Sequence, residues 1–313
     1  SPTISKAAAS HDDDAHKDAP HTCPASSTAK SQLKWAPPPL AAPRAEDSML
    51  HVQLCALDAI VRPSPDVVRQ RLAAFMRVRA AILDTYPRAQ LSVLGSAVTS
   101  LALLDSDLDL TLQLSSESFT LGAAKRRHFP PEFKPLRSVA EAVRPIATGG
   151  VVDVIYAAVP IVKFEESETR IQIDISFNSA DADEHVKWAR NQLEARPSLR
   201  PVVLALKLLL RREKLNETYT GGVGSYLLLV LCASAAKVQP ANRPATDVGA
   251  LLLLTLDYIG NHDRGEYRGG RRSGPRILDP MTSSAAPPRD IGGKAFGFSD
   301  VADVCQTVAC ELR

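Results

Sequence analysis

"LSVLGSAVTSLALLDSDLDLTLQL", residues 91–114, ends in two aspartates that alternate with leucines, Asp107-Leu108-Asp109-Leu110. Side chains of a strand alternate between its faces. Leu108, Leu110, Leu112 and Leu114 therefore share one face, and Asp107, Asp109, Thr111 and Gln113 share the other. The leucine face is core, whereas the aspartate face meets either water or a ligand. Just upstream, "AQLSVLG" reads as a strand that runs into Gly95-Ser96.

Two carboxylates at i and i+2 on a strand stand roughly 6–7 Å apart and point the same way. They repel each other unless a cation lies between them. Mg²⁺ suits such a pair, because it takes hard oxygen ligands and completes its shell with water and substrate phosphates. "RIQIDISF", residues 170–177, offers a third carboxylate: Ile171, Ile173, Ile175 and Phe177 point inward, while Gln172, Asp174 and Ser176 face the other way. On a neighbouring strand, Asp174 would let the site hold two ions, one activating an attacking hydroxyl and one stabilising a leaving pyrophosphate. Taken alone, Asp-x-Asp also fits a solvated strand face.

Three further stretches carry the same ambiguity. Gly95 allows a turn tight enough for backbone N–H groups and the Ser96 hydroxyl to cradle phosphate, or the pair simply ends a strand. Lys207 in "PVVLALKLLLRRE" is flanked by aliphatic residues, with Arg211 one turn on, on the same face. A lysine there either snorkels to water or meets an anion such as a triphosphate. In "TGGVGSY", Ser225 either caps the next helix or meets a phosphate, and Tyr226 either packs or stacks on a base.

The surrounding chain is mixed α/β. "SMLHVQLCALDAIV" and "SPDVVRQRLAAFMRVRAAILDTYP" read as helices, the second capped by Ser64 with Pro65 in its first turn. "VPIVKF" and "RIQIDISF" read as a strand hairpin, a basic loop "KRRHFPPEFKPLR" and a short helix "SVAEAV" precede them, and the remainder is helical. Residues 1 to about 46, rich in Ala, Ser, Pro, Asp and His, lack a hydrophobic period and read as a disordered tail. Within it, His11, His16, His21 and Cys23 have spacings that fit no compact metal site. "HDDDAHKD" is too acidic for a mitochondrial presequence, and a chain opening on Ser1 is expected to be processed or excised from a longer one.

Composition narrows the classes. The 313 residues are enough for two packed domains, and 37 Lys+Arg against 35 Asp+Glu leave a formal charge of +2, unlike a tail-driven nucleic-acid binder. The five cysteines form no paired framework, which points to a reducing compartment. No stretch approaches the roughly 18 apolar residues of a membrane span. The absence of Walker A, HExxH and GxSxG patterns removes P-loop hydrolases, zinc proteases and α/β-hydrolases.

Together, "GSAVTSLALLDSDLDL", "VPIVKF…IQIDISFN", "SLRPVVLALKLLLRREKLNETYTGGVGSYLLLV" and "ILDPMTSSAAPPRDIGG" resemble, in order, the signatures of the noncanonical poly(A) polymerases and terminal uridylyltransferases. These are DNA-polymerase-β-like nucleotidyltransferases, and the resemblance is strongest to the poly(A) polymerase of TRAMP-type RNA surveillance complexes. It implies a palm of mixed α/β fold over 71–178 and a helical domain from 47–70 with 179–313, the active site lying in the cleft between them. It implies that Asp107, Asp109 and Asp174 bind two Mg²⁺ or Mn²⁺ ions and that Asp174 helps activate the 3′-hydroxyl of an RNA 3′ end. Gly95, Ser96, Lys207, Arg211 and Ser225 would hold the phosphates of a nucleoside triphosphate. Tyr226 would stack on its base, and the loop with Asp279-Pro280 and Asp290 would recognise it.

Relatives that select uridine commonly carry histidine just before the position of Asp290. This chain has Arg289, so ATP is the expected substrate and UTP the alternative. By the same resemblance a zinc-knuckle RNA-binding protein and a helicase are expected partners, and the nucleus the expected compartment. The chain departs from the pattern at Ser100, where glycine is usual, at Gly224 in place of the first serine of "SSY", at Arg211 in place of lysine, and in a short 258–277 segment. An inactive RNA-binding scaffold and a transferase acting on a small molecule are the other classes compatible with these features. The intact aspartate set weighs against the first, and the long helical match against the second.

Overall fold

Among the described residues, three helices begin at a side chain that accepts from their free N–H groups: Ser48, Ser64 and Asp247. The computed structural model describes residues 24–45, 47–114, 134–156, 159–177, 182–238, 247–265, 267–268, 271–282 and 287–313. Helix α1 spans Pro24–Lys34. Ser48 accepts from the His51 amide to start α2 (Met49–Ile60), and Ser64 accepts from Val67, with Pro65 in the first turn, to start α3 (Pro65–Thr85). Strand β1 (Gln90–Val93) then leads into the short helix α4 (Gly95–Val98), and β2 (Leu108–Gln113) follows.

Helix α5 (Lys134–Val143) precedes strands β3 (Asp153–Ile155), β4 (Ile161–Glu165) and β5 (Gln172–Phe177). The five strands form one sheet in the order β1-β2-β5-β4-β3. Only β2 and β5 run parallel among the paired strands, and every other neighbour is antiparallel. As the alternation predicts, Leu108, Leu110, Leu112, Ile173 and Ile175 lie on the buried face. Phe75, Val78 and Ile82 of α3 and Leu136, Val139 and Val143 of α5 join the same core. Full burial of each such side chain contributes roughly 1.5–3 kcal/mol.

A second core lies among helices. Alongside α2 it gathers α6 (Ala182–Ala195), α7 (Leu199–Arg212), α8 (Ser225–Lys237), α9 (Val248–Gly260) and α10 (Phe298–Glu311). A two-stranded ribbon, β6 (Tyr267–Arg268) with β7 (Arg271–Arg272), precedes the loop that ends near Asp290. No helix among the described residues is long and apolar enough to cross a membrane.

Two expectations are corrected. Pro24–Lys34, assigned to a disordered tail, is helical, and Ala29 and Leu33 are buried in the sheet-side core. Trp35 then donates its indole N–H to Glu194 at 3.2 Å, and the Arg190 guanidinium lies 4.8 Å from the Trp35 ring centroid. Two apolar residues four apart make too narrow a stripe to register in so polar a segment. The boundary drawn between residues 70 and 71 falls inside α3, and Val68, before it, already packs against the sheet-side core. The histidines and cysteine of the tail, and most of the basic loop, lie outside the described residues.

Candidate active site

The polar face of the sheet brings three charged side chains into one row. Asp109 on β2 pairs in register with Asp174 on β5, and Asp174 pairs in turn with Lys163 on β4. Asp107 stands one residue before β2. The Lys163 ammonium lies 2.8 Å from Asp107 Oδ2 and 2.9 Å from Asp174 Oδ1, so these two carboxylates converge on a point that a cation fills.

Burial, then the charges of Asp174 and Asp107, push the Asp109 carboxyl up to about 7. Burial raises Asp174 as well, against the pull of Lys163. For Lys163, burial disfavours the charge, but hydrogen bonds to Asp107 and Asp174 outweigh it and hold the ammonium above the ordinary lysine range. Among the described residues no three His, Cys, Asp or Glu side chains close around a single point. The donor set nevertheless fits hard divalent cations. Three carboxylates repel one another on one wall, and a positive group already sits between two of them.

Gly95 is required where it stands. Its φ is +65°, and a Cβ there would lie 2.1 Å from Asp109 Oδ2. The backbone of the Gly95-Ser96 turn thus touches the second carboxylate, and the Leu94 amide donates to the Asp109 carbonyl at 2.8 Å.

Three basic side chains grip the segment between that turn and Asp107. Arg200 Nε donates to the Ser100 carbonyl at 2.8 Å, Lys207 Nζ to that of Leu101 at 2.7 Å, and Arg71 Nη2 to that of Leu103 at 3.0 Å. Arg200 is also ion-paired with the buried Asp58. Ser100 has a φ of 58° and occupies the left-handed region. Burial lowers Lys207 to about 8, partly offset by the Asp109 charge. Arg211 pairs with Asp105 and holds it below the usual carboxylate range.

Two cavities meet at Asp109. One, of about 240 Å³, is lined by Ser96, Asp107, Asp109, Lys207, Arg211 and Ser225. The other, of about 340 Å³, holds Gly95, Ser96, Asp109, Ser176, His185 and Tyr226. Ser225 opens α8 without capping it, since Gly224 takes the cap position. The Tyr226 hydroxyl donates to Asp279 at 2.9 Å, and its ring lies against His185 and edge-on to Trp188. A larger cavity, about 490 Å³, lies between α1 and the α2–α3 corner and carries none of the three aspartates.

The structure therefore gathers Asp107, Asp109, Gly95, Ser96, Lys207, Arg211, Ser225 and Tyr226 around two cavities that meet at Asp109, while Asp174 lines neither and stands beside Asp109 on the next strand. Asp290 lines neither cavity. Its Oδ1 accepts from the amides of Ile277, Gly292 and Gly293, at 3.1, 3.0 and 3.2 Å, and so shapes the loop from within. Sequence reasoning did not single out Lys163 or His185. Lys163 was within reach, because alternation in "VPIVKF" sets it opposite Val162 and Phe164, on the face of Asp174. His185 carried no such signal.

A sheet with aspartates on adjacent strands, faced by helices that carry basic side chains, fits the nucleotidyltransferase core that the sequence resembles. Residues 50–185 match the family described as "Poly(A) RNA polymerase, mitochondrial-like, central palm domain". The chain is 31% identical over 205 residues to the poly(A) RNA polymerase cid14 of Schizosaccharomyces pombe, covering 64% of this chain and 29% of that protein. It is 31% identical over 235 residues to poly(A) RNA polymerase protein 2 of Saccharomyces cerevisiae, covering 73% and 38% respectively. The solved polymerase core of TRAMP, an RNA surveillance complex, superposes with a TM-score of 0.65 at 25% identity, over 84% of this chain and 88% of that one. Over these spans the chain is similar to noncanonical poly(A) RNA polymerases. It spans about a third of the length of the curated relatives it matches.

Proposed function

We propose that this chain extends RNA 3′ ends without a template, adding AMP from ATP and releasing pyrophosphate. The observation that carries the reading is the in-register pair Asp109–Asp174, whose Asp109 lines, with Asp107, a cavity that also holds Lys207, Arg211 and Ser225. Asp107, Asp109 and Asp174 would hold two Mg²⁺ or Mn²⁺ ions, which when bound acidify the attacking hydroxyl and neutralise charge on the leaving group. Asp174 orients the 3′-hydroxyl of the primer. Lys207 and Arg211 meet the charge of the triphosphate while Ser225 donates to it. The Gly95-Ser96 turn keeps the α-phosphate end against Asp109, and Tyr226 supplies the apolar surface for the base.

The relatives named above support an RNA substrate, and the TRAMP core supports a place in RNA surveillance, processing or decay with protein partners. The deciding experiment incubates the chain with a labelled RNA primer, Mg²⁺ or Mn²⁺, and each of the four nucleotides in turn. Extension is expected to be fastest with ATP. Faster addition of uridine at equal concentration would replace the adenylyl assignment with a uridylyl one, and no extension with any nucleotide would remove both.

A further inference from the structure

Asp279, only 5% exposed, is answered by protein donors on both oxygens. Oδ1 accepts from the Tyr226 hydroxyl at 2.9 Å and the Met281 amide at 3.1 Å, and Oδ2 lies 3.0 Å from His185 Nε2. Burial works against the Asp279 charge, yet these hydrogen bonds outweigh it and hold its carboxyl below the usual range. An ionised carboxylate can only accept. The proton of a neutral imidazole therefore sits on Nε2, and Nδ1 is left with a lone pair.

The His185 ring packs on Tyr226, with centroids 4.4 Å apart and planes tilted by 33°. It lines the cavity that holds Gly95, Ser96 and Asp109, at the end marked by Tyr226. The wall around it is apolar, formed by Val186, Ala189 and Leu229. An acceptor set beside apolar side chains discriminates well, because a ligand that covers it without a matching donor strips its water and returns nothing.

We propose that His185 is a specificity-determining residue that accepts a hydrogen bond from the incoming nucleoside, with Asp279 fixing the tautomer that makes it an acceptor. The proposal rests on the nucleotidyl-transfer reading above. The chemistry it selects is an O–H or N–H donor on the nucleoside. A ribose 2′-hydroxyl and the exocyclic amine of adenine both qualify, whereas the carbonyl that uracil carries in place of that amine does not. Tyr226 contributes surface to any base, and His185 contributes the choice.

The test compares the parent chain with His185→Phe and His185→Asn. Phenylalanine keeps a ring against Tyr226 without a lone pair, and asparagine restores an acceptor. Each protein is given ATP, 2′-deoxy-ATP and purine riboside triphosphate, which lacks the exocyclic amine. Equilibrium nucleotide binding is measured as well as KM and kcat in primer extension. His185→Phe is expected to weaken ATP by about tenfold in Kd and KM, with a smaller change in kcat, and His185→Asn to recover part of that loss. One analogue should lose nothing: 2′-deoxy-ATP if the donor is the hydroxyl, purine riboside triphosphate if it is the amine. Equal losses for all three nucleotides, as mere support of Tyr226 would give, or no loss for any, overturns the proposal. A parent chain that binds nucleotide but extends no primer counts against the transfer reading alone, because the binding comparison still decides His185.

Discussion

Asp109 and Asp174 stand directly opposite each other on the parallel strands β2 and β5, the one parallel pairing in the five-stranded sheet. Antiparallel neighbours can be joined by a tight turn, whereas a parallel pair needs a crossover. Residues 114–171, with α5, β3 and β4, make that crossover, and two carboxylates far apart in the chain become neighbours through it.

Replacing Asp107 or Asp109 by Asn, or Asp174 by Ala, should abolish primer extension and leave the fold intact, since all three lie off the buried face. Asp109→Asn should also raise the melting temperature in chelator, and the sign with pH is fixed. The folded-state pKa of about 7 lies above the ordinary aspartate value of 3.8, so the contribution of Asp109 to stability is full below about pH 4 and lost as pH rises through 7. Each pKa unit corresponds to about 1.4 kcal/mol, so the gain on substitution should be small at pH 4 and largest at pH 8. Melting curves of both proteins across that range decide it. A pH-independent difference would detach the effect from Asp109 ionisation.

Lys207 is charged below about pH 8 and loses its proton above it. If it meets the triphosphate, the KM for nucleotide should climb above pH 8 in the parent and stay flat in Lys207→Arg, whose charge persists. Lys207→Ala should cost about 1.5–3 kcal/mol, roughly a tenfold to hundredfold loss in nucleotide use, with primer affinity little changed. Unchanged nucleotide kinetics in Lys207→Ala would leave the residue only its hydrogen bond to the Leu101 carbonyl.

Gly95→Ala should be among the most damaging small substitutions in the chain. The added methyl lands 2.1 Å from Asp109 Oδ2 at a φ of +65°, so either the carboxylate or the turn must move. The backbone alone costs about 1–2 kcal/mol. Extension should fall by at least about a hundredfold, because a misplacement of roughly 1 Å at a reacting centre has that effect. Near-parent rates would mean that the Gly95 turn does not position Asp109.

Ser100→Gly should do the opposite. Ser100 holds a φ of 58° in the left-handed region, and its hydroxyl makes only a long, 3.3 Å contact with Arg200. Relief of the backbone strain should stabilise the protein by about 1 kcal/mol, less the extra chain entropy of glycine. Calorimetry should show a melting temperature higher by about 2–4 °C, with extension unaltered. A lower melting temperature would mean that the Arg200 contact outweighs the strain.

Alternation in residues 108–114 and 171–177 was enough to place Asp109 and Asp174 on polar strand faces, and Ser64 with Pro65 was enough to start α3. Those signals are local: period-two burial and helix capping depend on a few neighbouring residues. Lys163 lay within the same logic, one strand further along the sheet.

What the tertiary structure alone decided depends on pairs distant in the chain. The Asp109–Asp174 register, the approach of Gly95 to Asp109, the grip of Arg71, Arg200 and Lys207 on the 100–103 carbonyls, and the contact of His185 with Asp279 join residues between 14 and 106 positions apart. Helix α1 belongs with them, because Ala29 and Leu33 form too short an apolar stripe to mark a helix and are ordered by the core they enter. A lysine among leucines, or a histidine near a helix start, reads the same whether it faces water or a buried carboxylate. Packing removes the water, and with it that ambiguity.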